Sequence, residues 1–80
     1  MELNEFIQNI ADQFESTDPS EIKADTDIRS LDEWSSLIAL SIVAMIDEEY
    51  DVVIKGDDIK GVKTVEDLYN VVKAKAEAEE

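Results

Sequence analysis

The chain has no histidine, no cysteine, one proline and only two glycines in 80 residues. Without cysteine there is no disulfide, no thiolate metal site and no thiol redox chemistry. That composition suits a reducing compartment. Without histidine, a serine has no obvious activating base and is a poor catalytic nucleophile. No apolar run reaches the roughly 18 residues of a membrane span. Met1-Glu2-Leu3-Asn4-Glu5 lacks the basic flank of a secretory signal. The cytoplasm is the expected location.

Positive charge is also scarce. Seven Lys and Arg face 21 Asp and Glu, for a net charge of −14. No base occurs in residues 1–22 or 30–54. Such a chain repels nucleic acid and anionic membrane surfaces, so its partners should present basic faces. Eighty residues make one small domain, 1–80, with a limited core and a stability of about 5 kcal/mol. That leaves little room for a deep substrate cavity with catalytic groups, and an enzyme is not expected. Acidic pairs such as Asp32-Glu33 and Asp57-Asp58 arise readily in a charge-rich chain. Nothing in the sequence suggests a pocket that would perturb them.

Residues 2–15 predict an amphipathic helix, with Leu3, Phe6, Ile7, Ile10 and Phe14 on one stripe. The next 20 residues lose that period. Asp18-Pro19-Ser20-Glu21 carries a helix-start signal that should make a single turn. Ile22, Ile28 and Leu31 are spaced to dip into the core and pin this long connection. Asp25-Thr26-Asp27 hints at a calcium loop. Ser30 and Ser36 stand where that loop needs Gly and Glu, and the reading fails.

Residues 36–50 predict a second helix that is apolar almost all round until Asp47-Glu48-Glu49. Ser35 has the chemistry of its N-cap. Ala39, Ile42, Val43, Ile46 and Tyr50 are the core candidates, and Leu37, Leu40 and Ala44 form an outward stripe. A domain this small cannot cover such a helix on every side, which leaves apolar surface for a partner or ligand. Asp51–Ile54 has strand propensity but no partner strand, and should be an extended linker tucking in Val52 or Ile54. Gly56–Gly61 allows one helical turn. Thr64-Val65-Glu66-Asp67 resembles a capping box opening a last helix with Val65, Leu68, Tyr69, Val72 and Ala76 on its stripe. The Ala-Glu tail should fray. The sum is an all-α four-helix bundle, three longer helices and one short, with a serine pair at the start of the second.

In this order and spacing the chain resembles the acyl carrier protein family, the phosphopantetheine-binding four-helix bundles. The resemblance rests on Asp18-Pro19-Ser20-Glu21-Ile22 and Asp25-Thr26-Asp27-Ile28, on Ser36-Leu37 opening the apolar helix, on Asp47-Glu48-Glu49-Tyr50-Asp51 closing it, and on Thr64-Val65-Glu66-Asp67-Leu68. It covers nearly the whole chain.

The family signature is Asp-Ser-Leu, and its serine carries 4′-phosphopantetheine through a phosphodiester. The matching residues here are Ser35-Ser36-Leu37, which implies Ser36 as the attachment site. The resemblance also implies a partner face at Ser35, Leu37, Leu40 and Ala44, with Asp47 and Glu48 as acidic contacts. Ser35 replaces the usual Asp and removes a charge that would attract a basic transferase. Ser41 stands at an often acidic position. Trp34 stands where housekeeping fatty-acid carriers more often have a small residue, and in this the chain looks more like carriers dedicated to specialised pathways.

The implied partners are a phosphopantetheinyl transferase and acyl-transferring or acyl-modifying enzymes with basic docking surfaces, met by a monomer. An acyl chain could fold back against Leu40, Ile42, Val43, Ile46 and Ile59. The competing reading is a carrier-like module without the arm, using its apolar helix as a docking face.

Overall fold

The computed structural model describes residues 2–78. Among them are four α-helices: α1 (Leu3–Ala11), α2 (Ser36–Tyr50), α3 (Gly56–Lys60) and α4 (Val65–Ala78). No strand forms among the described residues, and the β pairing is a single bridge, Asp27 with Thr64. The expected all-α bundle of three longer helices and a short one is what the chain adopts.

α1 buries Phe6, Ile10 and Ala11 and packs against α4. It is shorter than the 2–15 expected from its stripe. The i→i−3 bonds Gln13 N–H to Ile10 O and Phe14 N–H to Ala11 O tighten its end, and Phe14 still reaches the core. The amides of Glu15, Ser16 and Thr17 then donate to the Glu33 carboxylate at 2.7–2.9 Å, as does the Thr17 hydroxyl. Those donors can no longer continue a helix. Their acceptor lies 16–18 residues away, which local periodicity cannot reveal.

Burial alone would raise the Glu33 pKa, but the four hydrogen bonds prevail and hold it below the usual glutamate range. The folded-state value therefore lies below the unfolded one. The carboxylate stabilises the fold above the unfolded value near 4.5, and that contribution is lost as pH falls through the folded value. We expect Glu33→Gln to lower the melting temperature at pH 7. The gap from the unsubstituted chain should close as pH drops below about 4.5. Melts followed by circular dichroism from pH 7 downward check this, and a pH-independent gap would contradict it.

The long connection is anchored as expected. Pro19–Glu21 makes a 3₁₀ turn capped by Asp18, whose carboxylate accepts from Ser20 N–H at 2.9 Å. Ile22 and Ile28 are buried and Leu31 is half-buried against the core. A second 3₁₀ turn, Ile28–Ser30, was not expected from the sequence. The segment also caps α4. Val65 N–H donates to Thr26 O and Glu66 N–H to Ala24 O, while Ile28 N–H donates to Lys63 O. Asp67 N–H donates to Thr64 Oγ1 and Thr64 N–H to Asp67 Oδ2, so the capping box works with Asp in place of Glu. The first turn of α4 thus satisfies its otherwise unpaired donors.

Val52 and Ile54 both point inward, one more residue than the linker was expected to bury, and Val53 faces solvent. α3 is fastened by Lys55 N–H to Asp58 Oδ2 and by the ion pair of Lys75 with Asp58 at 3.4 Å. The Ala-Glu tail was expected to fray, but Ala76, Glu77 and Ala78 stay helical, as strong helix formers can, and Glu79 and Glu80 lie outside the described residues.

α2 ends on Asp51, a non-glycine residue in left-handed backbone at φ 55°, ψ 39°. Its Cβ opposes that conformation, and its charge sits at the negative end of the helix dipole. Glycine carries neither penalty. We expect Asp51→Gly to stabilise the fold by about 1 kcal/mol, or about 5 °C in melting temperature, with most of the gain absent from Asp51→Ala. Equal gains in a paired thermal melt would assign the effect to charge rather than backbone.

Candidate functional site

Ser35 is the N-cap of α2. Its backbone is extended at φ −156°, ψ 171°, and its Oγ accepts from Ile38 N–H at 3.3 Å. Ser36 is the first residue of the helix, exposed, and no hydrogen bond holds its hydroxyl among the described residues. The adjacent serines are therefore not equivalent. One oxygen is committed to the helix end and the other is available. The helix N-terminus contributes partial positive charge beside Ser36, and no acid lies in the first turn to cancel it.

α2 buries Ile42, Met45 and Ile46. Ala39, Val43 and Tyr50, expected in the core, are half-buried at its edge, and the buried Met45 was missed. A helix apolar on every side has no polar face to fix its roll, so the sequence left the seam undetermined. The outward stripe is as expected. Leu37 is 72 % exposed and Leu40 66 %, and Ala44 is exposed beside them. Asp47 and Glu48 are exposed at the far end, about 17 Å along the axis from Ser36. The structure thus brings Leu37, Leu40, Ala44, Asp47 and Glu48 onto one open face that starts at the serine pair.

Ser36 also lines an open cleft of about 440 Å³ between α2 and α3. Its apolar wall is Trp34, Ala39, Leu40, Val43 and Ile59. Ile42 and Ile46, named with them as a lining for a folded-back chain, are instead closed into the core at 0 % exposure. Arg29 and Lys60 stand on the same cleft, and sequence reasoning passed over both. They are 31 residues apart and meet where the Arg29 guanidinium donates to the Lys60 carbonyl at 3.0 Å, beside the Ile28 N–H to Lys63 O bond. No local pattern carries that signal.

Among the described residues, no helix is long and apolar enough to cross a membrane. A family model described as the phosphopantetheine attachment site matches residues 4–72. No curated protein matches the chain. The residues present fit that group. A free, exposed hydroxyl stands at a helix N-terminus beside an open cleft with two cations, which suits an acceptor for a phosphodiester. Family members hold 4′-phosphopantetheine covalently, are generally non-catalytic carriers, and work with a phosphopantetheinyl transferase and further enzymes. With 69 of its 80 residues matched, this chain belongs to the family of phosphopantetheine-binding carrier domains found in acyl carrier proteins.

Proposed function

We propose that Ser36 bears the phosphopantetheine arm and that the chain, as a monomer, shuttles acyl groups between biosynthetic enzymes without catalysing a step itself. The observation that carries this is the division of labour between the serines: Ser35 Oγ caps α2 and Ser36 Oγ is unoccupied. In the loading step Ser36 Oγ forms a new P–O bond to the pantetheine-bearing phosphorus of coenzyme A. The pyrophosphate P–O bond breaks and the nucleotide half leaves. The serine proton goes to a base of the transferase, because this chain has no histidine to take it. Once attached, the arm supplies a terminal thiol that holds acyl groups as thioesters.

The open face of α2 is the partner surface in this reading. Leu37, Leu40 and Ala44 give apolar contact, with Ser35 at its edge, and Asp47 and Glu48 meet basic residues of the enzyme. Contacts of that kind associate fast and release readily, as a carrier passed between enzymes requires. The setting is fatty-acid synthesis or a specialised pathway, and Trp34 favours the specialised one. Loading from coenzyme A favours the cytoplasm.

The test is to acylate the arm-bearing protein with octanoate through an acyl-activating ligase. The acyl group should be removable by hydroxylamine, and prior alkylation of the thiol should block its attachment. Methyl NMR signals of Val43 and Ile59 should shift on octanoylation as the chain enters the α2–α3 cleft. Those of Ile42 and Ile46 should move less, because they lie behind the wall. An octanoyl group that resists hydroxylamine would contradict the thioester reading. Unchanged Val43 and Ile59 signals would contradict entry of the chain.

A further inference from the structure

Positive charge is rare in this molecule, yet three of its seven bases gather at one place. Arg29, Lys60 and Lys63 line an open polar cleft of about 530 Å³ next to the α2–α3 cleft. The two clefts share Arg29, Trp34 and Lys60, and Ser36 lies on the second. Among the described residues the one ion pair is Lys75 with Asp58, so none of these three cations has a carboxylate within 4.0 Å. In a chain with three acids for every base, unpaired neighbouring cations run against the composition.

The carboxylate lining this cleft is Asp27, and its Oδ1 accepts from Arg29 N–H at 3.1 Å. Arg29 is held in place by its bond to the Lys60 carbonyl, which leaves the other guanidinium N–H groups to donate elsewhere. Capping the end of α3 accounts for that one bond. It does not account for Lys60 and Lys63 on the same wall, or for Trp34 between the two clefts.

We propose that Arg29, Lys60 and Lys63, with Trp34 as an apolar platform, form an anion-binding cleft that takes a phosphate or carboxylate group delivered from Ser36. The inference rests on the arm being attached there. Two sources share the chemistry: the phosphodiester of the arm, and a carboxylate at the far end of its cargo. Planar guanidinium and ammonium donors suit both. The cleft would favour acyl groups ending in a carboxylate over those ending in methyl. It would also hold the arm against the body of the protein when no partner is present.

The experiment compares the arm-bearing protein with its Lys60→Gln, Arg29→Gln and Lys73→Gln variants. Lys73 lies exposed on α4 away from the cleft, so its variant controls for net charge. The arm's phosphorus NMR shift reads the first source. An adipoyl cargo with a labelled terminal carboxyl, set against hexanoyl, reads the second. Fluorescence of Trp34, the single tryptophan, reports the cleft in both cases.

If the phosphodiester is the occupant, its signal moves in the Lys60 and Arg29 variants and at high salt, but not in Lys73→Gln. If the cargo is the occupant, the adipoyl carboxylate titrates about half a unit lower in the unsubstituted protein than in Lys60→Gln. Its Trp34 emission also differs from that of the hexanoyl form. An arm that is installed but shows neither response overturns the anion cleft and leaves the carrier reading standing. If no arm can be installed, the carrier reading fails on its own. Free 4′-phosphopantetheine and adipate are then titrated against the unmodified chain. Trp34 quenching that weakens several-fold in Lys60→Gln supports the cleft, and its absence overturns it.

Discussion

Phe6→Ala is expected to leave the chain with at most about 2 kcal/mol of stability at room temperature. Phe6 is 0 % exposed and is the point where the three long helices meet. Its ring lies 5.7 Å from that of Tyr50 on α2 and 5.5 Å, edge-on, from that of Tyr69 on α4. Truncating a buried Phe to Ala costs about 3–5 kcal/mol through lost burial and the cavity left behind. A domain of this size has about 5 kcal/mol in total. The loss therefore consumes most of the stability. Phe6→Leu keeps most of the volume and should cost about 1 kcal/mol.

Urea unfolding followed by far-ultraviolet circular dichroism distinguishes these outcomes. The Ala variant should lose its helical signal within the first steps of urea, from a native baseline that is already incomplete in water, while the Leu variant keeps a full baseline and a cooperative transition. A cooperative Ala variant that loses less than about 1 kcal/mol would show that the three helices do not depend on this contact. Tyr50 adds a polar tie at the same junction, its hydroxyl accepting from Asn9 Nδ2 at 2.8 Å. That bond survives in Phe6→Leu and holds α1 to α2.

What could be read from sequence follows a physical line. Features set by neighbours in the chain were legible. The Ser35 and Asp18 caps, the Thr64–Asp67 box, the single turn at Pro19 and the 36–50 helix all depend on residues within one turn. The exposure of Leu37, Leu40 and Ala44 was anticipated in part: an apolar helix on so small a body must leave one side open, and the family resemblance pointed to this one. Ile22 and Ile28 were legible as anchors because lone isoleucines in a polar stretch have no other use.

Features set by partners far along the chain were not legible. Glu33 looked like one acid among many until the fold set it against the amides of residues 15–17, where it ends α1 early. The carbonyls of Ala24 and Thr26 cap a helix that begins some 40 residues later. Backbone carbonyls carry no side-chain signature, so no motif announces such a cap. Met45 was missed because an apolar helix does not declare its own roll. The Arg29–Lys60 contact, and with it the cationic rim beside Ser36, exists only once α3 has docked. The free serine at the start of α2, the proposed attachment residue, thus belongs to the legible part of the molecule, and the cationic surroundings belong to the part that is not.

The second large effect is all-or-none. Ser36→Ala should abolish attachment of the arm, because no other free hydroxyl stands in the first turn of α2 and an alanine offers no oxygen to phosphorus. Ser35→Ala should leave attachment intact and cost the fold about 1 kcal/mol through the lost cap to Ile38 N–H. The two changes therefore separate by kind: one removes the chemistry and keeps the helix, the other weakens the helix and keeps the chemistry.

Attachment at Ser36 is tested most directly by intact mass after incubation with coenzyme A and a broad-specificity phosphopantetheinyl transferase, for the unsubstituted chain, Ser35→Ala and Ser36→Ala together. The expected result is a gain of one phosphopantetheine in the first two and none in the third. A gain in Ser36→Ala with none in Ser35→Ala would contradict the assignment and move the site to the capping serine. No gain in any of the three, with a competent transferase shown on a control carrier, would contradict the carrier function itself.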